Sequence, residues 1–102
     1  MDAPAPQTID SYVFETLLPD LVGHDRRASA FLVYLVILTA DGGGRVALSY
    51  AQLAERTGLS RRAAQSAVAL LRRRQLIETT RRAATDTSQY RALSPWRRDR
   101  AG

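Results

Sequence analysis

Arg61, Arg62, Gln65 and Ser66 lie within six consecutive positions. A helix through them would carry all four on one broad face. Arginine presents a planar fork of donors that fits two phosphate oxygens or the edge of a guanine. A glutamine amide can pair in the same two-pronged way with adenine, each good pair being worth roughly 1–3 kcal/mol of discrimination. Further along, Arg72, Arg73 and Arg74 form a basic run, and Arg81 and Arg82 form a second. The run at 72–74 falls at a predicted helix C-terminus, where cations also complement the helix dipole. Ser49, Tyr50 and Ser60 fall at predicted helix starts, where backbone N–H groups suit an anion. Ser49 and Ser60 also read as helix caps. Arg91 is a weaker candidate on a predicted strand.

Covalent chemistry is not expected. A nucleophilic mechanism needs a nucleophile beside a positioned base. The chain has no cysteine and a single histidine, His24, and its carboxylates are scattered. No metal site, cofactor or small-molecule ligand is evident, and the expectation is that the chain is not an enzyme.

Charge points the same way as the arginine pattern. The net charge is +5, with every basic residue an arginine. Residues 1–44 hold two arginines against six acids, a net −4, whereas residues 45–102 hold thirteen arginines against four acids, a net +9. A polarised chain with one strongly basic half suits a polyanion partner.

The elements that must position these residues follow from periodicity. Residues 1–7 (M-D-A-P-A-P-Q) read as a flexible arm. Ile9, Tyr12, Val13, Thr16 and Leu17 recur at helical spacing, and Pro19 should end or kink that helix, with Gly23 a stop. Asp25 could cap a helix at about 26–39 that is apolar on nearly every side, hence buried on more than one face. Residues 41–44 (D-G-G-G) break it. A brief strand is expected at 45–48. Ser49 and Gln52 make a capping-box pattern for the next helix, which Thr57-Gly58 ends; the turn wants a positive φ at Gly58. Ser60 caps a helix to about Arg74, with Ala64, Ala67, Val68 and Leu71 on its inner face. Strands at 76–80 and 89–93 close a polar loop with arginines at its base. Trp96 is expected to anchor the tail on the domain.

On these residues the chain resembles a winged helix-turn-helix DNA-binding domain of the kind found in bacterial transcription regulators and plasmid or phage replication proteins. The resemblance rests on Leu53-Ala54, Thr57-Gly58-Leu59-Ser60, Ala64, Ala67-Val68, Leu71 and Leu76-Ile77, and spans residues 45–93. Two positions depart from the pattern: Gln75 stands where many members carry glycine, and Arg74 where many carry an apolar residue. The resemblance implies a mainly α fold with a small β-hairpin and an additional N-terminal helix. It divides the chain into the arm (1–7), the winged helix domain (8–93, with the helix-turn-helix at 49–74 and the wing at 76–93) and a basic tail (94–102).

The resemblance further implies sequence-specific binding of double-stranded DNA by a small bacterial transcription regulator. The recognition helix would use Arg61, Arg62, Gln65 and Ser66 in the major groove. Ser49, Tyr50, Ser60, Arg72, Arg73, Arg81 and Arg82 would meet the backbone or minor groove. The surplus apolar surface of the first two helices, with Tyr12, Phe14, Leu18, Tyr34 and Ile37, would form a homodimer contact. The alternatives are a plasmid or phage replication or partition accessory protein, and a winged-helix module that binds protein. No apolar run is long enough to span a bilayer, and no signal peptide is apparent, so a cytoplasmic, nucleoid-associated protein is expected.

Overall fold

The computed structural model describes residues 7–24, 27–40, 45–81 and 87–96. The expected Asp25 cap, the glycine break at 41–44, the Arg82 contact and the tail beyond Trp96 lie outside the described residues. α1 spans Ala28–Thr39, β1 Val46–Ala47, α2 Tyr50–Thr57, α3 Arg61–Arg73, β2 Ile77–Thr80 and β3 Gln89–Ala92. Two π-helical segments, Val13–Leu17 and Pro19–His24, precede them.

The N-terminal segment corrects one expectation. Of the two outcomes expected at Pro19, the helix does not end there; helical turns run on to His24, one residue past Gly23. The turns are widened, with the Leu18 N–H donating to the Val13 carbonyl five residues back. A proline brings no N–H to the ladder, and such loosened turns are a common way for a helix to carry one. The continuation places Leu21 wholly inside the core beside Val13 and Leu17.

α1 sits at the centre. Ala30, Phe31, Val33, Tyr34 and Ile37 are buried, and the helix packs on α3, α2, β3 and the second π segment at once. That explains a sequence apolar nearly all round. The Tyr34 hydroxyl, carried into this interior, donates to the Leu93 carbonyl at 2.9 Å.

α2 and α3 form the two-helix corner. Ser49 Oγ accepts from the Gln52 N–H at 3.1 Å, and Gln52 Oε1 accepts from the Ser49 N–H at 2.8 Å, the reciprocal cap expected. Gly58 takes φ +80° and donates to the Ala54 carbonyl at 2.8 Å. A Cβ there would touch nothing, so glycine is required by backbone conformation alone. Ser60 Oγ then accepts from the Ala63 N–H at 3.0 Å and starts α3. Ala64, Ala67, Val68 and Leu71 are buried, the two alanines allowing close approach of the neighbouring helices.

α3 ends on a left-handed residue that is not glycine. Gln75 has φ +58°. Its N–H donates to the Arg72 carbonyl at 3.0 Å, and that of Leu76 to the Leu71 carbonyl at 2.9 Å. This is the paired closure of a Schellman end, completed by burial of Leu71 and Leu76 together. The glycine-to-glutamine departure noted in the sequence therefore falls on the one non-glycine residue with positive φ among those described.

The sheet has three strands in the order β1-β3-β2, all antiparallel. The hairpin expected from the sequence is β2-β3, with Thr79 opposite Tyr90 and Glu78 opposite Arg91. The brief strand at Val46–Ala47 joins its other edge, Val46 facing Tyr90. Mainly helical, with a small antiparallel sheet and an added N-terminal helical segment, the chain has the winged helix-turn-helix architecture that its sequence implied.

Trp96 is buried and closes the domain. Its ring stacks on Tyr12 at 4.4 Å, and its Nε1 donates to Asp10 Oδ2 at 3.0 Å. Asp10 also accepts from the Tyr12 N–H, so one carboxylate links the N-terminal helical segment to Trp96.

Candidate nucleic-acid interface

The buried stripe of α3 fixes what its other side must show. With Ala64, Ala67, Val68 and Leu71 turned inward, Arg61, Arg62, Gln65, Ser66, Ala69, Arg72 and Arg73 are exposed. These positions make a continuous outer face thirteen residues long at its ends. Ala69 sits mid-face, leaving the backbone there open to close approach. Beside it a groove of about 580 Å³ is lined by Arg27, Ser66, Ala69, Arg72 and Arg73. Four of these five belong to α3; Arg27 comes from the start of α1 and was not picked out in the sequence. It stands far from α3 in the chain, and only the packing of α1 on α3 brings it there.

Electrostatics sharpens the face. Arg45 binds Glu78 at 2.7 Å, and Arg91 reaches the other oxygen of the same carboxylate at 3.3 Å. Arg74 binds Asp20 at 2.6 Å. Arg61, Arg62, Arg72, Arg73 and Arg81, by contrast, form no ion pair among the described residues. Arg91, the weaker candidate, is thus already neutralised in part, and Arg74 turns back to the N-terminal segment.

Ser49 and Ser60 are engaged as caps, which uses an oxygen lone pair and leaves each hydroxyl proton able to donate. Tyr50 is 37% exposed at the first turn of α2. A second, polar recess of about 180 Å³ lies at the root of the wing, lined by Tyr50, Val68, Arg72, Thr79, Thr80, Arg81, Ser88 and Tyr90. The sequence offered Tyr50, Arg72 and Arg81 separately; the structure brings them together. Ser88 and Tyr90 were missed, since nothing in a strand pattern marks a tyrosine as facing a helix start.

Tyr90 is nearly inaccessible. Burial pushes its pKa up, Tyr50 beside it adds to the rise, and Ser88 and Arg72 pull against it. Its phenol therefore keeps its proton and remains a donor well into the alkaline range.

The apolar residues expected at a homodimer contact do not form one surface. Tyr34 and Ile37 are wholly buried in the protomer's own core and have nothing to offer a second copy. α1 spends its surplus apolar faces on α3, α2 and the sheet. Tyr12 is covered by Trp96, and Leu18 packs half-buried against the core. Phe14 is 47% exposed, edge-on to Phe31, and Leu32 is 40% exposed.

Among the described residues no group of His, Cys, Asp or Glu could hold a metal ion, and no helix is long and apolar enough to cross a membrane. A family model described as a helix-turn-helix domain matches residues 27–77, half of the chain. Neither a curated protein nor a solved structure matches it.

Proposed function

The chain belongs to the helix-turn-helix domain family, and on that premise we propose that it binds duplex DNA in a sequence-specific manner, as a small homodimeric regulator of transcription. The observation that carries this reading is the outer face of α3, whose arginines have no acidic partner among the described residues, whereas Arg45, Arg74 and Arg91 each have one. α3 enters the major groove. Arg61, Arg62, Gln65 and Ser66 read base edges from its first turns. Arg73 and Arg27 meet the backbone along the groove, and Arg72 and Arg81 meet it at the wing. Ser49, Tyr50 and Ser60 add neutral donors at helix starts. A second copy docks through Phe14 and Leu32 rather than through Tyr34 and Ile37.

Selection of bound duplexes from a random pool, with the mass of the complex measured, tests this. An enriched sequence with two-fold symmetry and a mass of two chains per duplex supports it. No duplex retained at low salt sinks the DNA-binding reading. An enriched asymmetric site bound by one chain removes the homodimer and leaves the recognition helix.

A further inference from the structure

The recess at the wing root is richer in hydroxyls than the α3 groove, where Ser66 supplies one. Arg72 and Arg81 are cationic, while Tyr50, Ser88 and Tyr90 carry neutral O–H donors. Among the described residues no carboxylate lines it. The nearest acid along the strand is Glu78, which pairs opposite Arg91, one position on from the Thr79–Tyr90 pair. Side chains alternate across a sheet, so Glu78 and Arg91 lie on the face away from Tyr90. Arg45 and Arg91 hold Glu78 there. The recess is open to solvent through Tyr50 and the exposed Arg72 and Arg81. Arg72 lines both this recess and the α3 groove, so the two are contiguous. Donors of both kinds lining one recess, with no carboxylate among the described residues, describe a seat for a tetrahedral oxyanion.

We infer that this recess holds one phosphate group, that of a nucleotide in the DNA backbone, gripped by the Tyr50 and Ser88 hydroxyls and the guanidinium groups of Arg72 and Arg81. The inference rests on the reading of the chain as a DNA-binding protein and adds to it a single anchoring point that fixes α3 in register. Burial keeps the Tyr90 phenol protonated behind the seat, so Tyr90 adds no negative charge to it.

Neutral and charged donors leave different marks on binding. A neutral donor releases no counterion, so its loss weakens binding without changing the salt dependence. Loss of an arginine on phosphate lowers the slope of log K against log salt by about 0.9. In the full chain, Tyr50→Phe with Ser88→Ala is expected to weaken all duplexes alike, by roughly ten-fold, at unchanged slope. Arg81→Gln is expected to reduce the slope by about one unit.

Titration of inorganic phosphate into the unliganded protein, followed by the NMR shifts of the Tyr50 and Ser88 amides, is the second arm. Saturable shifts at both, lost in the double variant, support the seat. Duplex binding unchanged in both variants overturns the seat and leaves DNA binding standing. A wild-type chain that binds no duplex but shows those phosphate shifts overturns the backbone assignment along with the proposed function, and assigns the recess to a free phosphate ester instead.

Discussion

Two sets of arginines contrast in this molecule, with Arg27 and Arg56 in neither. Arg45, Arg74 and Arg91 are each within 3.3 Å of a carboxylate and tie the sheet and the N-terminal segment to the rest. Arg61, Arg62, Arg72, Arg73 and Arg81 have no such partner among the described residues and lie on α3 and at the wing. The guanidinium is the same in both; position on the fold decides whether a carboxylate meets it. Exposed ion pairs add at most about 1 kcal/mol each, so the first set owes little of its meaning to stability. The acids of these pairs lie on the sheet and the N-terminal segment, and none among the described residues pairs with the outer face of α3.

The largest effect is expected on the scaffold side. Trp96→Ala removes the stack on Tyr12 and the hydrogen bond to Asp10, and should destabilise the fold by roughly 3–5 kcal/mol, measured by denaturant unfolding. The account requires that duplex affinity then change only in proportion to the fraction folded. A selective affinity loss in fully folded protein would show that the scaffold set and the binding set are not separate.

Next comes base readout. Gln65→Ala on the outer face of α3 should relax preference at one base position by about 1–3 kcal/mol, seen as a flattened profile in competition binding. An equal loss on every sequence would move Gln65 to the backbone class.

The end of α3 offers a smaller effect. Gln75 pays the left-handed strain that a glycine avoids. Gln75→Gly should stabilise by about 0.5–1 kcal/mol, the relief of strain being partly offset by the greater freedom of glycine in the unfolded chain. A destabilisation would mean that the Gln75 side chain makes a contact worth more than the strain.

The smallest effect is a pH dependence. The Tyr90 pKa is raised in the fold, so the folded state holds that proton more tightly than the unfolded chain does. The contribution is fully present below the ordinary phenol pKa of about 10 and is lost as pH rises through the folded value. Tyr90→Phe should flatten the alkaline fall in stability. An alkaline limb identical in the variant would contradict the burial assigned to this phenol.

Much of the arrangement was legible because local rules act at short range. The Ser49–Gln52 box, the Gly58 turn, the Ser60 cap and the alanine-rich inner face of α3 each follow from residues within one or two turns. Even the Gln75 departure marked the spot where backbone strain is found. What could not be read depends on residues far apart in the chain. The surplus apolar faces of α1 suggested a second copy, yet α2, α3 and the sheet cover them, which buries Tyr34 and Ile37. Whether Pro19 ends its helix or only loosens it could not be read, because the widened turn that accommodates it has no pattern in the residues themselves. Arg27 beside α3, and Ser88 and Tyr90 beside Tyr50, become neighbours only when the sheet and helices close on each other.

The separation of the two arginine sets is tested most directly by anisotropy titration of the selected duplex across a range of salt. Two variants would be compared with the wild type: Arg61→Ala/Arg62→Ala/Arg73→Ala, and Arg45→Ala/Arg91→Ala. The account predicts that the α3 variant loses affinity by about 100-fold or more at 0.1 M salt, with a salt slope smaller by about 0.9 for each phosphate contact removed. The Arg45/Arg91 variant should bind as the wild type does. Equal losses in both variants, or an α3 variant that retains full affinity and slope, would contradict it.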